Sequence, residues 1–243
     1  LTTALAGRGR PAAAAVPTPS SEGAPLPASF PQQRFWFLHQ FDADAGAYAV
    51  PLAFRLTGEG PLAEQIQFLL DALAERHAIL RTTFAQHDHG LIQIVHAHMP
   101  VPVQCEDISV LPFAEREARL QACMRAESRQ PFNLQRGPLL RARLLMLGPQ
   151  THVLLLTVHH IIFDGWSMGV LLDEARRLLP LHAHDRGHAA TALPAPALQY
   201  ADFARWQRHH LDEATTRLLL DYWRAQLDGA PATMNLPQDH ARP

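Results

Sequence analysis

Cysteine is scarce in this chain: Cys105 and Cys123 are its two examples in 243 residues. Neither belongs to a CxxC or Cys/His arrangement, so no zinc or redox motif can be read from them. Both are expected to be buried thiols in a reducing, cytoplasmic setting. An excess of one charge is also missing. The 21 basic and 23 acidic side chains nearly cancel, with no run of like charge, which gives no support for a nucleic-acid or membrane-surface partner. Long apolar runs are lacking too, since Val153 to Val158 and Val170 to Leu172 fall well short of the roughly 20 residues that span a bilayer. Residues 1–28 have no apolar core of the kind a signal peptide needs. They are rich in Ala, Pro, Gly and Ser, bury too little apolar surface to offset their ordering entropy, and read as a disordered linker. The folded unit is expected at 29–243. A first residue of Leu1 rather than methionine reads as excision from a longer polypeptide.

What the chain does have is core material: 47% of it is hydrophobic and 18% charged, enough for one sizeable domain or two small ones. Short β-rich runs alternate with longer helical ones. Strands are predicted at Pro51–Leu56, Ile92–His96 and Val101–Cys105. Helices are predicted at Pro61–His77, where Leu62, Ile66, Leu69, Leu70 and Leu73 recur at helical spacing, and at Phe113–Ser128. Leu140–Leu147 and His152–Val158 read as long, mostly buried strands joined by Gly148-Pro149-Gln150 and placed centrally in a sheet. Three further helices follow, at Trp166–Leu179, Gln199–Leu211 and Glu213–Leu227. The mixed order predicts an α/β sandwich, with helices over a mixed sheet.

The strand Leu154–Val158 delivers two adjacent histidines at its end, and Asp164 and Gly165 follow just before a helix. Successive strand residues point to opposite faces, so one of His159 and His160 faces a cavity and the other faces packing. An imidazole titrates near neutral pH and can take a proton from an attacking amine or hold that amine by a hydrogen bond. Asp164, at the turn, can cap backbone N–H groups or pair with an arginine. Gly165 suits a tight bend or a close approach, and the N–H groups just after it can face a developing oxyanion.

Val158-His159-His160-Ile161-Ile162-Phe163-Asp164-Gly165 resembles the HHxxxDG signature of condensation domains of nonribosomal peptide synthetases. Three further motifs stand in the family's order: Ser29 to Leu38 resembles SxxQxRxWxL, Arg76 to Phe84 resembles RHxxLRTxF, and Tyr200 to Trp206 resembles YxDFAxW. Shorter agreements occur at Phe132-Asn133-Leu134, Gly137-Pro138-Leu139-Leu140 and Leu236-Pro237-Gln238-Asp239. The resemblance implies a chloramphenicol acetyltransferase-like α/β lobe, the first of two that enclose a tunnel, with the second lobe's motifs absent before Pro243. It implies amide-bond formation between acyl groups carried as phosphopantetheine thioesters on donor and acceptor carrier proteins. An adjacent adenylation domain and a C-terminal lobe would be further partners, with no metal or directly bound cofactor. Carried over residue by residue, His160 is the principal active-site histidine and Gly165 the glycine beside it. His159 has a packing or orienting role. Asp164 is a structural aspartate expected to pair with an arginine, Arg81 in preference to Arg76. Ser29, Gln33, Trp36, Tyr200 and Trp206 are expected to pack rather than react.

Rival readings have residues of their own. Gly165-Trp166-Ser167-Met168-Gly169 matches the GxSxG elbow of serine hydrolases, and Asp212, Asp221 or Asp228 with His240 would complete a triad. Against this, Ile161 to Asp164 intervene where an elbow should turn sharply off its strand. Epimerisation domains share HHxxxDG, but the opening run Arg34-Phe35-Trp36-Phe37-Leu38 looks more like condensation. A non-catalytic truncated lobe is the third alternative. The clusters His87/His89, His96/His98, His182/His184 and His209/His210 lack a third ligand at useful spacing and read as surface residues.

Overall fold

A computed structural model describes residues 26–41, 46–58, 62–88, 90–183 and 193–231. They form a mixed α/β fold whose sheets are covered by helices. The linker proposed for residues 1–28 lies outside the described residues up to position 25. Its end needs correction: Leu26–Pro27 forms a short strand, β1, and Ala28 and Ser29 are fully buried. The folded part therefore begins before Ser29, because pairing with a partner strand holds a segment whose own composition is poor in core formers.

The elements that follow are helix α1 (Phe30–Phe41), strand β2 (Ala49–Thr57), helix α2 (Leu62–Arg76), a 3-10 turn at Ala78–Arg81, and strands β3 (Thr82–His87), β4 (Gly90–Val95) and β5 (Val103–Asp107). Then come helix α3 (Phe113–Arg129), strands β6 (Leu140–Gly148) and β7 (Thr151–His159), helix α4 (Gly165–Leu178), a 3-10 turn (Leu179–Ala183), helix α5 (Tyr200–His210) and helix α6 (Glu213–Leu227). The strands divide into two sheets, β1-β4-β3 and β2-β7-β6-β5, where a single sheet was expected. In the larger sheet only the β5–β6 pair is parallel.

Pleat parity explains what each face of the larger sheet buries. Leu140, Ala142, Leu144, Leu154, Leu156 and Val158 join one core with Ile66 and Leu70 of α2. Leu145, Leu147, Val153 and Leu155 point the other way, onto Leu120 and Cys123 of α3. β7 is thus covered on both faces, which is why its sequence reads as an unbroken apolar run. α3 is tied to the sheet by Glu127, which accepts hydrogen bonds from Arg141 at 3.3 Å and Arg143 at 3.0 Å. Cys123 is buried and burial raises its thiol pKa, but Cys105 is exposed on the edge strand β5, contrary to expectation.

Residues 207–231 belong to a second compact unit. Its helix α6 is capped by Asp212, whose carboxylate accepts from the Thr215 N–H at 2.8 Å. Leu218, Leu220, Trp223 and Leu227 of this helix are exposed.

Candidate active site at the end of strand β7

The end of β7 is fixed from both sides. The His159 N–H donates to the Leu139 carbonyl at 2.9 Å, and the His160 N–H to the Tyr48 carbonyl at 2.8 Å. The two histidines then diverge. His159 is fully buried, edge-on to His39 and Phe132 at centroid distances of 5.4 and 5.8 Å. Its Nδ1 accepts from the Ile161 N–H at 3.0 Å, so the ring proton sits on Nε2, which is buried without a hydrogen-bond partner. Burial above all, with the neighbouring His39 and His160 adding to it, pushes the His159 pKa down to about 3. A second proton would also have to displace the Ile161 N–H. The ring is therefore neutral at physiological pH.

His160 is exposed and lies flat against Phe35, with ring centroids 4.8 Å apart and an interplanar angle of 19°. Phe35 is braced edge-on by Tyr48 at 5.4 Å. Neither ring nitrogen of His160 is engaged by a described residue, so both stay open to a reactant.

The turn after His160 is held by a residue that sequence reasoning passed over. Gln32, 1% exposed, reaches the Ile161 carbonyl with its amide nitrogen at 3.5 Å, while its Oε1 accepts from the Ser29 N–H at 2.9 Å. Ser29 Oγ in turn accepts from the Gln32 N–H at 3.2 Å, which closes a reciprocal cap at the start of α1. The SxxQ spacing of the opening motif falls on Gln32, whereas the packing role was expected of its neighbour Gln33, which is only half-buried. Ser29 Oγ also lies 2.9 Å from the Tyr200 hydroxyl, joining the first and last motifs. Trp36 is partly buried against the main core.

Asp164 departs from expectation. Its carboxylate forms no ion pair with Arg81 or Arg76; it caps α4, accepting from the Ser167 N–H at 2.8 Å and the Ser167 hydroxyl at 2.7 Å. The Ser167 Oγ returns the bond by accepting from the Asp164 N–H at 3.2 Å. The Ser167 hydroxyl bond, with backbone bonds from Ser167 and Trp166, outweighs partial burial and lowers the Asp164 pKa. Arg81 is occupied elsewhere, donating to the carbonyls of Ala74 at 2.6 Å, Ala97 at 3.2 Å, and His96. Arg76 makes a two-pronged pair with Glu174 at 3.3 and 3.1 Å, and also donates to the Leu193 and Pro194 carbonyls. His77 Nε2 lies 2.7 Å from the same carboxylate. Burial pushes the Glu174 carboxyl up, but the bonds from Arg76 and His77 outweigh it and leave its pKa lowered.

Two details of the helix start also differ from the sequence reading. The N–H groups of Trp166 and Ser167 are given to Asp164, so those donors are not free for an oxyanion. Gly165 is not in the left-handed region, and a Cβ built on it meets nothing within 4 Å. Its lack of a side chain leaves open space beside the site rather than relieving a tight bend.

The hydrolase arrangement is not assembled. Ser167 Oγ is bonded to Asp164 rather than to an imidazole, Asp212 caps its own helix, and Asp221 pairs with Arg224 at 3.3 Å. His240 lies outside the described residues, as do His89 and His184. Among the described residues no group of three side chains is placed to hold a metal ion. His96 Nε2 is 2.8 Å from Thr83 Oγ1, and His182 packs edge-on to Phe68 at 5.4 Å. No described helix is long and apolar enough to cross a membrane.

Residues 24–243 match the family model described as the condensation domain. A linear gramicidin synthase polypeptide of Brevibacillus parabrevis is 40% identical over 225 residues, covering 93% of this chain and 4% of that protein. Phosphinothricin tripeptide synthetase PhsC of Streptomyces viridochromogenes is 39% identical over 229 residues, covering 94% of this chain and 21% of that protein. Among solved structures, the X-domain from teicoplanin biosynthesis superposes with a TM-score of 0.75 at 27% identity, over 94% of this chain and 49% of that one. The chain therefore spans a small part of these curated relatives and about half of that solved structure.

Proposed function

Since the chain belongs to the condensation-domain family found in nonribosomal peptide synthetases, we propose that it contributes the histidine-bearing half of an acyl transferase that forms amide bonds. One observation supports this above the others. A rigid, doubly anchored strand end offers the open imidazole of His160 to solvent while its neighbour His159 is locked in the neutral form beneath.

In the proposed reaction the donor acyl group and the acceptor aminoacyl group arrive as phosphopantetheine thioesters on separate carrier proteins. A free α-amine has a pKa of roughly 7.7 to 8, so much of it is already a nucleophile near neutral pH. Positioning then matters more than strong-base chemistry. His160 holds the amine by a hydrogen bond and accepts its proton as the nitrogen adds to the thioester carbonyl. Collapse of the tetrahedral intermediate expels the pantetheine thiolate, which picks up a proton. Phe35 sets the plane of the imidazole, and Gln32 and the Asp164 cap hold the turn behind it. The space beside Gly165 admits the substrate arm. Donor and acceptor carrier proteins, an adenylation domain and the other half of the domain are the proposed partners, in the cytoplasm, with no cofactor bound by this lobe.

The test is a single-round assay on protein carrying both halves of the domain, with one carrier loaded with an acyl donor and the other with an aminoacyl acceptor. Intact-mass detection should show the extended chain on the acceptor carrier. No transfer by active, fully loaded components would overturn the proposal.

A second reading has an observation of its own. A solved complex of the X-domain and OxyB from teicoplanin biosynthesis is similar at 30% identity with a TM-score of 0.70. On that reading this lobe docks a protein partner and forms no bond. The same assay separates the two, because a docking lobe leaves both carriers unchanged.

A further inference from the structure

Beside the histidine turn, and lined by residues on both sides of it in sequence, lies a cavity of about 580 Å³. Val158 precedes the histidine pair and Ile162 and Phe163 follow it; α2 supplies Leu73, and the first two turns of α4 supply Val170 and Leu171. This volume is within the range of small-molecule sites, roughly 300 to 1,000 Å³.

The polar side chains in the lining reveal what kind of guest suits the cavity, because nearly all of them already have partners. Ser167 Oγ is bonded to Asp164, and the Tyr200 hydroxyl to Ser29. Gln199 spends both ends of its amide on backbone, accepting from the Ala78 N–H and donating to the Arg76 carbonyl, each at 2.9 Å. His77 Nε2 is bonded to Glu174. Among the described residues this leaves two uncommitted side-chain polar atoms in the lining, the His77 Nδ1 and the indole nitrogen of Trp166, a residue that is itself 84% exposed. A polar guest would lose its water bonds and find almost nothing in exchange, whereas a hydrocarbon group loses only its hydration.

We propose that this cavity receives the apolar hydrocarbon group of a thioester-borne substrate, either an aliphatic acyl tail or a large apolar amino-acid side chain, and thereby selects that substrate. The inference rests on the thioester reading above, but binding can be measured without turnover, so the two fail separately. Loss of amide formation with binding intact leaves the cavity's role standing.

The test is calorimetric titration of the full chain with octanoyl-pantetheine, leucyl-pantetheine and glycyl-pantetheine, which share the pantetheine arm. At least one of the first two should bind at least tenfold more tightly than the glycyl thioester, the scale on which apolar pockets discriminate. The tighter of the two identifies the source of the hydrocarbon. Val170 and Leu198 both line the cavity and are 36% and 38% exposed, so Val170→Trp and Leu198→Trp can fill it from the rim without straining the core. Each should weaken the preferred thioester at least tenfold and leave the melting temperature unchanged. The proposal is overturned if neither apolar thioester exceeds the glycyl one, or if both folded rim variants bind like the parent.

Discussion

The Ile161 N–H donates to Nδ1 of His159 at 3.0 Å, a bond between residues two apart that locks a buried imidazole into one tautomer. It makes folding sensitive to acid. The unfolded ring takes up a proton below its ordinary value of about 6.5, whereas the folded ring does so only near 3. Between those values the unfolded state binds more protons. The stabilising contribution is therefore complete above the upper value and is lost as pH falls through the window, up to about 5 kcal/mol in all. Urea unfolding at a series of pH values should show this slope. His159→Asn keeps an acceptor for the Ile161 N–H but cannot titrate, and should flatten the slope between pH 6 and 4. An unchanged slope would refute the assignment.

His160 is expected to matter for turnover and not for folding, because it is exposed and its ring carries no hydrogen bond to a described residue. His160→Ala should leave the melting temperature within a few degrees of the parent while lowering amide formation by roughly a hundredfold or more. Near-parental turnover in the single-round carrier assay would remove it from the chemistry.

Asp164 serves as a helix cap, and its removal should cost what a cap costs. Asp164→Ala is expected to lose about 1 kcal/mol, within the 0.5 to 2 range for such caps, and Asp164→Asn less because it retains an acceptor. Chemical denaturation distinguishes this from a loss of 3 to 5 kcal/mol, which would indicate a buried ion pair instead.

The buried ion pair lies elsewhere. Arg76 and Glu174 have side chains 6% and 12% exposed, and Glu174→Gln leaves the guanidinium without its counter-charge. A loss of about 3 to 5 kcal/mol is expected, read by the same denaturation measurements. Glu174 has a lowered pKa, so its contribution is present above the ordinary carboxylate range and fades as pH drops below it. A loss below 1 kcal/mol would show that the neighbouring carbonyls alone satisfy Arg76.

The legible parts of the fold were those whose neighbours are close in sequence or whose apolar runs are long. β6 and β7 announced themselves through their leucines, and α2 through its spacing. β3 went unread because Thr82–His87 ends in polar residues, and its burial depends on distant partners such as the Leu134 carbonyl, which accepts from the Phe84 N–H at 2.8 Å. β1 is two residues long and exists only through its pairing with Gln93 and Ile92. At the site, the motif located the histidines, but a choice between cap and ion pair for Asp164 turns on where Arg81 ends. Its guanidinium is taken by carbonyls at Ala74, His96 and Ala97. Gln32 was the larger omission, since its role as a bridge to Ile161 involves a segment 129 residues away.

Strand β7 runs through the middle of its sheet, and the amides of His159 and His160 close its last bonds on either side. Their hydrogen exchange should therefore wait on opening of the sheet rather than on loop fluctuation. The imidazole is mounted on backbone hydrogen-bonded on both sides, while the walls of the neighbouring cavity come in part from the first turns of α4 and the segment 198–203. Substitution at Val170 or Leu198 can then change those walls without disturbing the register of the histidine.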